Sequence, residues 1–296
     1  MKKIIDNFLS EAFRETLERV IIWIAILSFL LHLLLIFLLN ENIIQLNSKL
    51  TVNPISAIYT PFSFILVYEV FLLVFYLPRS ISSYIGKQYE IITLIVIRRI
   101  FKDIGYMKLS DDWFKLGHDL QITYDLATAV ILFFLIQKFY KNLEKKETSG
   151  IVKIMEDIAK KRMDKFIQFK KTIAAFLVPV VIILAFYSLI NWLITCGKTD
   201  LGDVANFKNI NNIFFEDFFI LLIIIDVILL LFSFFYSDSF HKIIRNSGFV
   251  ISTILIKLSF SVEGAINNAL ILGAVIFGFL ILIIHNSYKS ATEYDL

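Results

Sequence analysis

The chain has 296 residues, of which 58% are hydrophobic, 15% aromatic and 19% charged, and its mean hydropathy is +0.75. A soluble domain is about 45–50% apolar and about 25% charged, and disorder requires low hydrophobicity, so both classes are excluded. The net charge of +3 is too small to indicate a nucleic-acid partner, and a single cysteine excludes an internal disulfide and a multi-cysteine metal site. The composition predicts an all-α polytopic membrane protein surrounded by the lipid bilayer.

Six stretches along the chain are long and apolar enough to cross a membrane, which requires about 20 residues of helix. They are residues 20–39, 57–77, 120–139, 173–195, 215–235 and 270–284. Two further apolar segments, 89–104 and 249–260, carry basic residues well inside them. Each is either an additional span that buries its charge against a partner, or a helix or re-entrant piece at the membrane surface.

The distribution of basic residues favours the first interpretation. The segment 141–171 contains ten Lys and Arg residues, and Lys2, Lys3, Arg14 and Arg19 lie before the first span. Lys and Arg accumulate on the cytoplasmic side, so both regions are expected there, and an even number of spans must separate them. We therefore predict eight spans with both termini cytoplasmic, in a cell membrane that we take to be a bacterial inner membrane. Six spans with two interfacial helices is the alternative.

This topology divides the chain into five segments. A cytoplasmic amphipathic helix over 1–19 precedes a four-helix membrane unit over 20–139. A basic amphipathic linker over 140–172 leads to a second four-helix unit over 173–285, and a cytoplasmic tail covers 286–296. The linker, through residues 141–171, is a candidate surface for a protein partner or a second copy of the chain.

The two membrane units resemble each other in sequence, as in many transport proteins built from repeats. At an offset of 157, Glu69 aligns with Asp226, and after a gap of two residues Arg98 aligns with Lys257. Apolar matches mean little in a chain this rich in Ile, Leu and Phe. The alignment of an acidic residue with an acidic one, and of a basic residue with a basic one, inside apolar segments is better evidence for a repeat. With an even number of spans in each, the two repeats are expected to be parallel.

These four charged residues are the candidate functional site. Counting from the inner ends of their spans places each about nine residues deep, so we expect buried acid–base pairs Glu69–Arg98 and Asp226–Lys257. A lone charge at this depth costs about 2.5–3.5 kcal/mol on insertion scales, which a partner offsets. Such pairs either fix the register of neighbouring helices or line a pathway for an ion or proton.

Further polar residues follow the pairs toward the outer side. Lys102 and Asp125 are expected to face each other between the third and fourth spans, with Arg99 turned about 100° from Arg98. The corresponding part of the second unit is less charged. The supporting polar residues are Arg99, Lys102, Asp125, Glu263, Asn267 and Asn268.

Enzymatic motifs are missing from the sequence. The four His residues have no metal-ligand spacing, and neither a Walker loop nor a dinucleotide-binding turn is present, so we expect no enzyme activity, metal or cofactor. The sequence favours a protein that moves or gates a small inorganic ion or a proton through a polar core. The alternative is a non-transporting membrane scaffold or signalling subunit that binds a cytoplasmic or membrane partner.

Overall fold

The computed structural model describes residues 9–41, 57, 59–106, 117–144, 165–180, 183–184, 187, 205–236, 240–262 and 264–294. This part of the chain is 95% helical and contains no strands, which confirms the all-α prediction for it. The helices are α1 (Glu11–Asn40), α2 (Tyr59–Tyr76), α3 (Ile81–Tyr106), α4 (Gly117–Glu144), α5 (165–180), α6 (Ala205–Tyr236), α7 (Phe240–Ser259) and α8 (Gly264–Tyr294).

Three of the described helices are long and apolar enough to cross a membrane: Glu11–Asn40, Leu120–Leu143 and Gly264–Tyr288. Their large apolar side chains face outward, among them Trp23, which is 71% exposed, and Val130, which is 63% exposed. Such a surface suits lipid rather than water. The structure thus agrees with the membrane protein that the composition predicts, while the total of eight spans stays a prediction.

Local sequence sets where the helices begin and end. Ser10 caps α1, because its Oγ accepts a hydrogen bond from the Phe13 backbone N–H at 3.2 Å. Pro78 lies in the short turn after α2, and Ser80 Oγ then accepts the backbone N–H of Ser83 at 3.1 Å at the start of α3. Gly264 begins α8 with a φ of 73°, a conformation that favours glycine.

The chain forms two compact units, and each combines segments of both predicted halves. The first comprises Met1–Val74, Ile95–Leu126 and Ala175–Phe218, and the second Phe75–Leu94, Ala127–Ala174 and Phe219–Leu296. The membrane units predicted over 20–139 and 173–285 stay a prediction. The boundary expected at residues 19 and 20 falls inside α1, which continues without a break from Glu11 to Asn40.

In the first unit, α1 and α2 lie side by side in opposite directions. Near one end the rings of Phe13 and Phe71 meet edge to face with centroids 5.8 Å apart, and Tyr68 Oη donates to Glu18 Oε2 at 2.7 Å.

The predictions for segments 1–19 and 140–172 are described only in part. Residues 1–8 and 145–164 of these segments lie outside the described residues.

In the second unit, an aromatic core joins α3, α4 and α7. The ring of Phe139 lies 5.3 Å from that of Tyr89 and 6.0 Å from that of Phe249, and all three side chains are fully buried. Helices α7 and α8 pack against each other, and Ser252 Oγ donates to the Ala274 carbonyl at 2.7 Å. This packing fixes the helices that carry the polar groups described next.

Candidate functional site

A buried polar cluster surrounds Asp226 inside the second unit. Asp226 lies on α6 and is 4% exposed. Gln88 of α3 donates its Nε2 to Asp226 Oδ2 at 3.2 Å, and Thr253 of α7 donates its hydroxyl to Gln88 Oε1 at 2.8 Å. The carboxyl therefore accepts from a neutral amide, and a neutral hydroxyl holds that amide in place.

Tyr84 adds a further hydroxyl to the cluster. It lies one helical turn before Gln88 on α3, is 2% exposed, and places its ring hydroxyl beside the Asp226 carboxyl and the Gln88 amide. Among the described residues, this hydroxyl makes no hydrogen bond of normal geometry. A proton donor and acceptor is thus available next to the acid.

Lys170 of α5 is a buried cation whose charge acts on Asp226. Its ammonium donates to the Arg79 carbonyl at 3.0 Å, and it is attracted by Asp226 and repelled by Arg245. No direct ion pair joins Lys170 and Asp226 in the part of the chain that the structure describes. Burial lowers the pKa of Lys170 to about 8.

A second hydrogen-bond chain positions the cluster. Tyr89 Oη lies 2.8 Å from Ser252 Oγ, which in turn donates to a carbonyl of α8, so Tyr89 is the donor to Ser252. Tyr89 is the neighbour of Gln88, and Ser252 is the neighbour of Thr253. Two adjacent hydrogen bonds therefore tie α3 to α7 and set the position of the Gln88 amide.

The register of α6 against α7 places Lys257 away from Asp226. Asn246 Nδ2 donates to Ser233 Oγ at 3.3 Å. Seven residues earlier on α6 and seven residues later on α7, Asp226 lies beside Thr253. Lys257 follows Thr253 by four residues, about 6 Å along the axis. The expected pair is therefore not brought together, because its depth was counted from Phe249, whereas α7 begins nine residues earlier at Phe240.

The other expected pair lies in the first unit, and no direct ion pair joins its two members in the part of the chain that the structure describes. Glu69 on α2 and Arg98 on α3 are 4% and 7% exposed, and their charges attract each other. Nearby, the rings of Phe62 and Phe101 stack with centroids 4.9 Å apart, so the two helices run side by side. One Glu69 oxygen, Oε2, is buried without a hydrogen bond to any described residue.

Asp125 of α4 is bound by Arg99 of α3. Arg99 binds it with two hydrogen bonds of 2.5 Å, from Nε to Oδ2 and from Nη2 to Oδ1, and Gln121 Nε2 donates to Oδ1 at 2.7 Å. Asp125 is fully buried by these contacts. The side chain of Lys102, the partner that the sequence suggested, lies outside the described residues.

The remaining supporting residues have structural roles or lie outside the described part. Asn267 donates to the Ser259 and Val262 carbonyls and thereby closes the turn between α7 and α8. Asn268 is buried next to it, whereas Glu263 lies outside the described residues. Among the described residues, no three His, Cys, Asp or Glu side chains form a group that could hold a metal ion.

Comparison with known proteins adds no identification. No family model, no curated protein and no solved structure matches the chain. The interpretation of its function therefore depends on the geometry of the buried charges.

Proposed function

We propose that the protein moves protons across the membrane, with Asp226 as the group that binds and releases the proton. The observation that supports this proposal is the contrast between two buried acids. Asp125 is held by a bidentate arginine, whereas Asp226 accepts from the neutral amide of Gln88, which Thr253 in turn holds in place. When an acid in a bidentate ion pair takes up a proton, the ion pair is lost. Asp226 can take up a proton without losing such a pair.

The surroundings of Asp226 suit both protonation states. When the carboxyl is ionised, it accepts the Gln88 hydrogen bond and is attracted by Lys170. When the carboxyl takes up a proton, Lys170 is left without this attraction but keeps its hydrogen bond to the Arg79 carbonyl. The Tyr84 hydroxyl, adjacent to the acid and not otherwise hydrogen-bonded, is the relay through which the proton arrives or leaves.

Glu69 is the second proton-binding group in this proposal. Its carboxyl is buried, attracted by Arg98, and has one oxygen without a hydrogen bond. Arg98 serves as its resting partner. Lys257 has no part in binding the proton, because no interaction joins it to Asp226.

For the architecture we infer eight spans in two parallel four-helix repeats, with both termini cytoplasmic and an inner membrane as the location. Helices α3 and α7 support this count, because their 26 and 20 residues correspond to about 39 and 30 Å, enough to cross the hydrocarbon core. The test replaces Cys196 by Ser and labels either Arg79→Cys or Lys141→Cys from one side. If the chain has eight spans, the cysteines at positions 79 and 141 react with a reagent added to the same side of the membrane. If α3 lies on the membrane surface, the two cysteines are on opposite sides.

The transport proposal is tested with purified protein in liposomes, with proton flux followed by a trapped pH-sensitive dye. Asp226→Asn keeps the shape and the Gln88 hydrogen bond but cannot ionise, so we expect flux to fall at least tenfold. Glu69→Gln is expected to reduce flux as well. Glu15→Gln, an identical change at a side chain 56% exposed, is the matched control and should leave flux unchanged.

Equal flux in wild type and in a folded Asp226→Asn variant would contradict the proposal. Absence of flux in the wild type, together with a co-purifying protein, would favour the scaffold or signalling alternative instead. Size-exclusion chromatography of each variant shows whether it is folded.

A further inference from the structure

A series of hydrogen bonds ties α6, α7 and α8 together, apart from the Asp226 carboxyl. Asn246 of α7 donates its Nδ2 to Ser233 Oγ of α6, and its Oδ1 accepts from Nε and Nη2 of Arg245 at 3.3 and 3.1 Å. The Nη1 of Arg245 lies 3.2 Å from Nε2 of His285 on α8. The other ring nitrogen of His285, Nδ1, lies 3.1 Å from the carbonyl oxygen of His241 on α7. His285 therefore joins α8 to α7 through both of its ring nitrogens.

These two hydrogen bonds require the neutral form of His285. Arginine has donors and no acceptor, so the histidine Nε2 accepts and carries no proton. A carbonyl oxygen only accepts, so Nδ1 carries the single proton of the ring and donates it. One tautomer of the neutral imidazole makes both bonds. The imidazolium has an N–H on both nitrogens and can make only the bond to the carbonyl.

The surroundings of His285 favour the neutral ring. Its side chain is 7% exposed, and the groove beside it is lined mainly by apolar side chains, among them Ile244, Ile281 and Ile284. A charge buried among apolar groups is costly unless a partner of opposite sign offsets it. Within the described lining, the groups that titrate or carry a charge are His241, Arg245 and Tyr288, and none of them is a carboxylate.

The neighbouring helices add neutral or positive groups. The ring of His241 on α7 lies 5.1 Å from that of His285. On the side of α4, the adjacent Asn286 donates to the Asn142 carbonyl at 3.0 Å, and α5 contributes Lys170, whose charge repels Arg245. A positive charge on His285 is thus opposed by the cations that the structure describes around it.

We propose that His285 is an acid-sensitive latch between α7 and α8, closed while the ring is neutral and opened when Nε2 takes up a proton from solution. Protonation replaces the lone pair of Nε2 by an N–H, so the hydrogen bond from Arg245 is lost and two positive charges face each other across a contact of 3.2 Å. Phe240 and Tyr288 at the edge of the groove are 70% and 56% exposed, which gives the proton a way in. The latch is separate from proton transport, because it changes helix packing whether or not the protein carries protons.

The test compares the melting temperatures of wild type and His285→Gln in detergent at about pH 8 and about pH 5, on either side of the ordinary histidine pKa of about 6.5. Glutamine accepts from Arg245 through Oε1 and donates to the His241 carbonyl through Nε2, but it takes up no proton. Below the ordinary pKa the unfolded wild type binds a proton that the closed latch excludes, so stability falls as the pH falls. We expect the wild type to lose several degrees more than His285→Gln between the two pH values.

His32→Gln is the matched control, because it makes the same change at the half-buried His32 of α1. The partner of His32 is the Thr60 hydroxyl, which both donates and accepts, so protonation leaves that bond possible. His32→Gln should keep the full acid-induced decrease of the wild type. Arg245→Met is a second test variant: it removes the cation that opposes the proton, so it should make the decrease smaller while His285 is retained.

Hydrogen exchange measured by mass spectrometry locates the change. Wild type and His285→Gln are compared at the same pH, so the intrinsic pH dependence of exchange cancels. We expect peptides covering residues 240–248 to exchange several-fold faster in the wild type at the acid pH and equally in both at the alkaline pH. An equal acid-induced decrease in wild type and folded His285→Gln, an undiminished decrease in Arg245→Met, or equal exchange of these peptides at the acid pH would overturn the proposal.

Discussion

Gly278 of α8 is the position at which the smallest substitution should cause a large effect. A Cβ atom built there would overlap the Tyr89 hydroxyl and would lie 3.0 Å from Tyr89 Cζ and 3.2 Å from Ser252 Oγ. Tyr89 is fully buried and hydrogen-bonded to Ser252, so it has no free space to move into. Gly273, five residues earlier on the same helix, has no atom within 4 Å of the same added carbon.

The two Gly→Ala substitutions should therefore change stability in opposite directions. Alanine in a helix interior is favoured over glycine by about 0.5–1 kcal/mol, and this gain applies at both positions. Overpacking a close-packed site costs about 1–3 kcal/mol, and this cost applies only at Gly278. We expect Gly273→Ala to stabilise the protein by about 0.5 kcal/mol and Gly278→Ala to destabilise it by about 1–2 kcal/mol.

Thermal unfolding in detergent measures both effects, and Tyr89→Phe shows their cause. Removing the tyrosine oxygen should relieve most of the overlap, so Gly278→Ala should cost less in the Tyr89→Phe background than in the wild type. A double-mutant cycle isolates this coupling. If Gly278→Ala is as stable as Gly273→Ala, or if Tyr89→Phe relieves nothing, the close packing of α3 against α8 is refuted.

Three further predictions concern the buried charges. Asp125→Asn leaves Arg99, whose side chain is 25% exposed, without its carboxylate and should lower the free energy of unfolding by about 1.5–3 kcal/mol, measured by denaturant unfolding; a loss below 1 kcal/mol would contradict the pair. Lys257→Met should leave the free energy of unfolding nearly unchanged in the same assay, because Lys257 has no ion pair with Asp226. A decrease as large as that of Asp125→Asn would instead support the Asp226–Lys257 pair expected from the sequence. Lys170 has a pKa of about 8 when folded and an ordinary value of 10.5. Between these values the unfolded chain holds a proton that the folded protein has released, so stability should rise with pH by up to about 3 kcal/mol. Lys170→Met should abolish that rise, and an unchanged pH profile would show that Lys170 is not its source.

The charged positions could be predicted from the sequence because each breaks an apolar segment. Glu69, Arg98 and Asp226 are all buried, and the charges of the first two attract each other. No ion pair joins Asp226 to Lys257, both of which the structure describes. Hydropathy alone could not show that α7 begins at Phe240, since residues 240–248 include several charged and polar side chains and resemble a loop.

The neutral partners of Asp226 could not be predicted in the same way. Gln88 and Thr253 are single polar residues without a charge, and such residues are common at helix ends and on packed helices. Lys170 belonged by composition to the basic linker, and only the packing of α5 reveals that it is buried. Their roles depend on which helices are neighbours, which no local pattern encodes.

The contacts between α6 and α7 have a geometric consequence. Ser233 with Asn246, and Asp226 with Thr253, are separated by seven residues on both helices. Residues seven apart lie on nearly the same face of a straight helix, because seven steps of about 100° fall only about 20° short of two full turns. Asp226 therefore lies on the face of α6 that meets α7, where a change in its size or charge is felt by both helices at once.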